Sequence, residues 1–125
     1  MSPLLKKIIK VFPKEFKKQL PKEATVINIS EAKSRALHRA YFKKDTPTNV
    51  LSFRYDADYG EILVCPAVIK REARRGGNTQ RYQMTWMMVH GMLHLAGVHH
   101  EKSKSAARKF EALEVKIIKD TLENV

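Results

Sequence analysis

Three closely spaced histidines carry the chemistry that this sequence indicates most clearly. They are His90, His94 and His100, and His99 directly precedes the last of them. Residues four apart on a helix lie on one face with Cβ atoms about 5–6 Å apart, so His90 and His94 can bind one ion together. Gly97 can adopt the left-handed conformation that ends a helix and turns the chain back. We therefore expect His100 to reach the same ion.

The donor set indicates the kind of metal site. Three neutral imidazoles with a vacant fourth position are typical of a catalytic zinc site, whereas structural zinc sites are closed and rich in cysteine. The chain has one cysteine. Core or surface histidines at coincidental spacing are the alternative, but the joint pattern H-x-x-x-H-x-x-G-x-x-H argues against it. The sequence predicts one Zn²⁺ on His90, His94 and His100, and leaves His38 as a structural or exposed residue that pairs with nothing.

The same spacing occurs in metzincin proteases, but two of their features are missing here. In those enzymes a glutamate directly follows the first histidine and acts as the general base. This chain has Gly91 at that position, and no methionine follows His100 to form the Met-turn. Peptide hydrolysis by the metzincin mechanism is therefore not expected.

The charge of the chain indicates a polyanionic partner. The net charge is +11, from 24 lysines and arginines against 13 acidic residues. A surplus of this size on a small domain raises the affinity for polyanions through counterion release and steering. The basic residues cluster at 6–22, 35–44, 70–81 and 102–109. A solvated surface would explain any one cluster, but four together favour nucleic acid, although membrane phosphates would attract the same charge.

Hydrophobic periodicity predicts the elements that precede the histidines. Residues 3–20 read as one amphipathic helix, or as two broken at Pro13, within a basic N-terminal segment over residues 1–22. Residues 25–29 are predicted to form a strand, and Ser30 to cap a helix that ends near residue 42. Strands at 50–53 and 62–65 flank the turn-rich segment 55–60, which favours a hairpin.

The helix that carries the first two histidines should be buried. Pro66 opens a helix to about residue 75, and Gly76 and Gly77 end it. Thr79 then caps a helix to about residue 95 that is apolar nearly all round, which places its histidines in the interior or on a cleft wall. The last helix, 103–122, has a core stripe at Phe110, Leu113 and Ile117, with Leu122 as a candidate fourth member.

These elements predict the fold class. We expect one metal-binding catalytic domain over residues 1–125, of the α/β (α+β) class, with a small mixed β-sheet packed by about five helices in a zincin-like arrangement. No apolar run approaches the roughly 20 residues of a membrane span, and the start of the chain lacks the apolar region of a signal peptide. A single cysteine, Cys65, in an apolar run indicates a reducing compartment, the cytoplasm. The sequence defines no oligomeric state.

Two motifs resemble those of the YbeY family of bacterial rRNA maturation factors. Residues 90–100 are similar to that family's H-G-x-L-H-L-x-G-x-D-H at every fixed position but one. Residues 44–53 read K-D-T-P-T-N-V-L-S-F and resemble K-D-x-P-T-N/D-V-L-S-F, and residues 60–62 resemble a G-D/E-I strand. The resemblance covers about residues 25–120, and the order of the motifs makes it more specific than either motif alone.

The resemblance implies a function that composition did not show. Members of that family are considered single-strand-specific endoribonucleases that trim the 3′ end of the small-subunit 16S rRNA and take part in ribosome quality control. It also implies ribosomal RNA and the small ribosomal subunit as partners, no membrane, and a basic groove beside one zinc ion on His90, His94 and His100.

The chain departs from the family pattern at three positions. The family usually has Asp where this chain has His99, which leaves His99 as a hydrogen-bond partner of a metal ligand, a proton carrier or an alternative ligand. It tends to have Arg after the Tyr that precedes K-D, where Phe42 follows Tyr41 here. It often has Pro where this chain has Arg54.

Phosphodiester hydrolysis would need groups beyond the metal ligands. A zinc ion lowers the pKa of a bound water to about 7 and polarises a phosphoryl oxygen. The catalytic candidates are His99 and Asp45 for proton transfer and Lys44 for neutralising charge on phosphate. The candidates for RNA binding are Arg39, Lys43, Lys44, Arg54, Arg74 and Arg75.

Two other functions remain open at this point. The first is a ribosome assembly factor without catalytic activity, in which zinc stabilises the structure. The second is a metal-dependent hydrolase of another substrate, such as an amide or a nucleotide. Binding to small ribosomal subunits without cleavage would indicate the first, and turnover of a small ester or amide would indicate the second.

Overall fold

A three-stranded mixed sheet supports the predicted site. The computed structural model describes residues 2–123. The strands are β1 (Glu23–Asn28), β2 (Val50–Arg54) and β3 (Tyr59–Val64), in the order β1-β3-β2. β1 runs parallel to β3, and β2 runs antiparallel to it. β2 is therefore an edge strand, and its outer edge is free to line a cleft.

The predicted hairpin between β2 and β3 is confirmed, but its turn is shorter than expected. Residues 55–60 were expected to be turn, whereas β3 begins at Tyr59. The Asp56 carboxylate closes the turn by accepting hydrogen bonds from the Tyr59 and Asp58 backbone N–H groups at 2.9 and 2.7 Å. Arg54 then pairs with Gly60 in the antiparallel ladder. The ladder extends the strand through a glycine because hydrogen bonding across the sheet outweighs weak local propensity.

The helices begin and end largely where the sequence predicted. Ser30 and Thr79 cap their helices by accepting hydrogen bonds from backbone N–H groups, and Gly77 ends one at a φ of 70°. The described residues form six helices instead of about five, because Pro13 separates two of them and has no N–H with which to continue a helix. They are α1 (Pro3–Val11), α2 (Lys14–Lys17), α3 (Glu31–Phe42), α4 (Pro66–Gly76), α5 (Gln80–Leu95) and α6 (Lys104–Glu123).

The sheet has helices on both faces. One face carries Ile62 and Val64 and packs against α5, which is itself in contact with α1 and α6. The other face carries Leu51 and Leu63 and is covered by apolar side chains of α3 and α4. This is the expected α+β architecture. α5 is buried on nearly all sides, as predicted, so its histidines lie in the interior of the domain.

The predicted core stripe of α6 is confirmed, with one addition. Phe110 and Ile117 are buried, and Leu113 and Leu122 are half-buried and pack against the same core. Glu114 is buried on the same stripe with 7% of its surface exposed. A buried carboxylate needs strong partners, and Glu114 finds them at the histidine centre. Cys65 is fully buried, as its apolar neighbours predicted. No helix of the described residues has the length and apolar character needed to cross a membrane.

Candidate metal centre

The end of α5 and the loop that follows it bring three histidines together. His90 and His94 lie one helical turn apart, and Gly97 turns the chain back at a φ of 82°. The turn is held by backbone hydrogen bonds from Gly97 N–H to the His94 carbonyl and from Val98 N–H to the Leu93 carbonyl, both 3.0 Å. Candidate ligand nitrogens of His90, His94 and His100 all lie within 4.8 Å of one another. The predicted convergence is therefore present.

Glu114 orients His90 from behind. The Nδ1–H of His90 donates to Glu114 Oε2 at 2.8 Å, and the Trp86 Nε1–H donates to the same oxygen at 3.0 Å. Because the carboxylate is an acceptor, the His90 proton lies on Nδ1 and the lone pair on Nε2. In metal sites a ligating histidine usually donates its other ring N–H to a carboxylate or carbonyl in this way. Nε2 of His90 is thus presented to the centre.

The donor spacing fits one metal ion. His90 Nε2 and His94 Nε2 are 3.2 Å apart. Two nitrogens bound to one zinc at about 2.0–2.1 Å in tetrahedral geometry would lie about 3.3 Å apart. His90, His94 and His100 therefore form a donor set that can hold a metal ion. The same distance also suits a hydrogen bond between the two rings when no metal ion is bound.

The surroundings keep His94 neutral. Burial, followed by the neighbouring His90 and His100, lowers the pKa of His94 to about 4. His94 is therefore uncharged near neutral pH, as metal ligation requires. The ring of Phe110 lies against all three imidazoles, with centroids 4.9–5.2 Å apart. It forms an apolar wall on one side of the centre.

Gly91 shows why no glutamate follows the first histidine. A Cβ at this position would lie 2.9 Å from Ser52 Oγ and 3.0 Å from Ile62 Cγ2. The hydroxyl of Ser52 donates to the Gly91 carbonyl at 3.3 Å. α5 therefore lies directly on β2 and β3 here, and a side chain at position 91 would run into the sheet. The arrangement leaves no space for the general base of a metzincin.

A cleft of about 600 Å³ opens in front of the histidines. Its floor is β2 at residues 50–52, and one wall is the loop from His99 to Glu101. The opposite wall comprises His38 and Phe42 of α3 with Lys44 and Thr48 of the following loop. The cleft therefore joins residues from both sequence motifs, and all five histidines of the chain line it.

His38 lies in this cleft and has a partner, contrary to the sequence prediction. Its Nδ1 is 2.8 Å from the carbonyl oxygen of Thr46. A carbonyl can only accept, so Nδ1 carries the proton and Nε2 is an acceptor. The pairing could not be predicted from the sequence, because the partner belongs to the loop after α3, which is held by tertiary contacts such as the hydrogen bond from the Ser34 hydroxyl to the Thr48 carbonyl at 2.8 Å.

The predicted catalytic residues occupy different places. His99 lines the cleft beside His100, with its Nδ1 3.4 Å from Glu101 Oε1. Lys44 also lines the cleft. Asp45 does not line it, because the Nε and Nη2 groups of Arg35 bind its carboxylate at 2.8 and 3.0 Å. This ion pair lowers the pKa of Asp45, which makes the carboxylate a poor proton acceptor.

The predicted RNA-binding residues are also dispersed. The guanidinium of Arg54 donates to backbone carbonyls of Gln19, Leu95, Asp56 and Ala57. These contacts indicate a structural role for Arg54 and do not support the expected RNA contact. Lys43 is exposed and ends α3 in the left-handed conformation at a φ of 58°. Exposed residues outside the cleft lining also include Arg39, Arg74 and Arg75.

Glu114 is the functional residue that the sequence reasoning missed. It lies four residues after Phe110 and three before Ile117, so it belongs to the apolar stripe of α6. An acidic residue in an apolar stripe, following a histidine motif, was the available signal. Its pairing with His90 spans 24 residues of sequence and could not be predicted from spacing.

The fold and the site together define an α+β domain with a three-histidine centre that can hold one metal ion. The glutamate that follows the first histidine in metzincin proteases has no space at position 91. The family model described as Endoribonuclease YbeY matches residues 1–121. The chain belongs to the YbeY family.

Individual relatives agree with this assignment. Endoribonuclease YbeY of Burkholderia lata is 39% identical over 101 residues, covering 77% of this chain and 59% of the relative. That of Bordetella petrii is 40% identical over 95 residues, covering 72% and 61%. The chain thus spans about three fifths of the length of these relatives. The solution structure of TM1509 from Thermotoga maritima is similar, with a TM-score of 0.68 and 28% identity over 97% of this chain and 80% of that one.

Proposed function

We propose that this protein is a zinc-dependent endoribonuclease that cleaves single-stranded ribosomal RNA, at the 3′ end of the small-subunit 16S rRNA. The observation that carries the proposal is the open centre of His90, His94 and His100 in a chain whose relatives are named Endoribonuclease YbeY. The net charge of +11 favours a polyanionic substrate. We place the activity in the cytoplasm, with ribosomal RNA and the small ribosomal subunit as partners.

The residues in and around the cleft have different roles in the proposed reaction. A zinc ion, when bound, supplies a water of lowered pKa and polarises a phosphoryl oxygen. Glu114 fixes the ring of His90, and Phe110 excludes water from one side of the centre. Lys44 lies where it can bind a substrate phosphate.

Hydrolysis of the phosphodiester also needs a proton donor for the leaving group. The attacking water gives up one proton as its oxygen bonds to phosphorus, one phosphorus–oxygen bond breaks, and the sugar oxygen that leaves takes up one proton, so the step needs no net proton. His99 is the candidate for delivering this proton, because it is half-exposed and lines the cleft beside His100.

The test is cleavage of a ribosomal RNA fragment that contains the 3′ precursor end. We expect cleavage to follow zinc content up to one equivalent, and to fall to the level of the chelated protein in His94→Ala. Tyr55→Ala is the matched control, because Tyr55 is exposed and does not line the cleft. Full metal content and full cleavage in His94→Ala would contradict the proposal. Binding without cleavage by zinc-loaded protein would instead indicate an assembly factor.

A further inference from the structure

The cleft wall opposite the histidine centre carries an aromatic ring, an imidazole and an ammonium group. We propose that Phe42, His38 and Lys44 form a subsite for one unpaired nucleotide of the RNA substrate. The base would stack on Phe42, Nε2 of His38 would accept a hydrogen bond, and Lys44 would bind a phosphate. This inference rests on the proposed function, because it names how the same cleft holds its substrate.

Phe42 presents a stacking surface in the cleft. It is the last residue of α3, and 51% of its surface is exposed. The ring of His38 supports it from the preceding turn, with centroids 5.9 Å apart and a tilt of 54°. Lys43 ends the helix directly after it, with its N–H bonded to the Arg39 carbonyl at 3.1 Å. Phe42 is thus a supported aromatic residue that leaves half of its surface to solvent.

His38 can supply a hydrogen-bond acceptor, its Nε2 atom. Its Nδ1–H donates to the Thr46 carbonyl at 2.8 Å, so in the neutral ring Nε2 carries the lone pair. The ring is half-buried and lines the cleft. An acceptor at this place can take a hydrogen bond from the amino group of an unpaired base or from a ribose 2′-hydroxyl, and unpaired RNA presents both donors.

Lys44 supplies a positive charge, and the carboxylate next to it in the chain is paired with another residue. The adjacent carboxylate, Asp45, receives two hydrogen bonds from Arg35, so its charge is compensated by that guanidinium. The ammonium of Lys44 is exposed on the cleft wall. A phosphate bound there would be held beside the aromatic ring of Phe42, two residues earlier in the chain.

The three groups together fit a nucleotide better than other anions. Stacking on an aromatic ring combined with a basic groove is the usual way in which proteins bind single-stranded nucleic acid. The cleft volume of about 600 Å³ is within the range of roughly 300–1,000 Å³ that small-molecule ligands occupy. One nucleotide can therefore lie on this wall while the adjoining phosphodiester faces the histidines.

The test is equilibrium binding of a labelled single-stranded oligoribonucleotide of about ten nucleotides to the zinc-loaded full chain, with RNA integrity checked afterwards. Phe42→Ala and Phe42→Leu should weaken binding by roughly 5- to 150-fold, the range for loss of one base stack. Phe42→Trp should retain binding. Tyr55→Ala, which removes an exposed aromatic residue outside the cleft, should bind like the unmodified protein.

Oligonucleotides with one abasic position, scanned along the strand, identify the contact. At one position the abasic RNA should bind the unmodified protein and Phe42→Ala equally, because the stacked base is missing from both complexes. Unchanged binding by Phe42→Ala would overturn the inference. An equal loss of affinity for polyglutamate would overturn it as well, since that polymer has charge and no bases.

Cleavage measured on the same samples separates this inference from the proposed function. If the unmodified protein binds RNA with the expected Phe42 dependence but does not cleave it, the subsite stands and the nuclease proposal fails. If the protein cleaves RNA while Phe42→Ala leaves binding and KM unchanged, the subsite fails alone. Absence of RNA binding by the unmodified protein overturns both.

Discussion

At the scale of single residues, Glu114 decides which nitrogen of His90 faces the centre. Its carboxylate is buried and accepts the Nδ1 proton, which leaves Nε2 free for a metal ion. The same oxygen also accepts from Trp86, so the carboxylate is itself held in place. This arrangement reduces the freedom of the His90 ring and keeps Nε2 directed at the centre.

Replacing this carboxylate tests its role. We expect Glu114→Gln to weaken zinc binding about 10- to 100-fold, the usual effect of losing the hydrogen-bond partner of a metal ligand. Competition with a chromophoric chelator measures the affinity. Glu111→Gln is the matched control, because Glu111 is exposed on the same helix one turn earlier. Equal zinc affinities in the two variants would show that Glu114 does not act on the centre.

The lowered pKa of His94 predicts how stability depends on pH. Its pKa is about 4 in the folded protein, compared with an ordinary value near 6.5. Between these values the unfolded chain binds a proton that the folded chain does not, so acidification favours unfolding. The metal-free protein should therefore lose stability as the pH falls from about 6.5 towards 4. Metal-free protein is the proper sample, because a bound ion would add its own pH dependence.

Urea denaturation of the metal-free protein at several pH values measures this effect. In His94→Gln the decrease in unfolding free energy over the same window should be smaller, because the titrating group has been removed. His99→Gln is the control, since His99 is exposed. If the pH dependence of His94→Gln equals that of the unmodified protein, His94 is not the group responsible.

At the scale of elements, the close approach of α5 to the sheet fixes the depth of the centre. Gly91 makes this approach possible, because any Cβ there would contact Ser52 and Ile62 at about 3 Å. The hydroxyl of Ser52 also bonds to the Gly91 carbonyl. β2 therefore serves both as the partner of α5 and as the floor of the cleft.

A methyl group at this contact should separate the two elements. We expect Gly91→Ala to lower the free energy of unfolding by about 1–3 kcal/mol, the usual cost of overpacking, and to weaken zinc binding. Gly76→Ala is the control, because a Cβ there meets only the flexible side chain of Asn78. Denaturant unfolding compares the two variants. Equal stabilities would mean that α5 does not depend on this contact.

At the scale of the whole molecule, Arg54 ties distant parts of the chain together. Its guanidinium donates to the Gln19 carbonyl, after α2, and to the Leu95 carbonyl at the end of α5, 2.7 Å away. The basic N-terminal segment is thereby joined to the helix end that precedes the histidine loop. Charged donors at a helix C-terminus also interact favourably with the helix dipole.

Removing this guanidinium should loosen both attached segments. We expect Arg54→Ala to cost about 1–3 kcal/mol, as for loss of hydrogen bonds to a charged group. Amide hydrogen exchange should become faster in residues 18–22 and 95–100. Arg81→Ala removes an exposed arginine from the start of α5 and is the control. Unchanged exchange in both segments would show that Arg54 does not connect them.

The sequence by itself determined the local structure of this protein. Helix caps at Ser30 and Thr79, the glycine end of α4 and the four-residue spacing of His90 and His94 are all short-range features, and each was confirmed. Two motifs in order were enough to indicate the family. Local patterns are readable because a helix or turn depends on residues only a few positions apart.

The tertiary structure alone decided how the cleft is completed. Glu114 binds His90 across 24 residues, and Arg54 reaches Leu95 across 41. Two further features depend on how α3 packs against the loop that follows it. They are the ion pair of Asp45 with Arg35 and the position of His38 in the cleft. Periodicity specifies which face of an element is buried, but not which residue of another element it meets. Those partners follow from packing, so they became visible only in the folded chain.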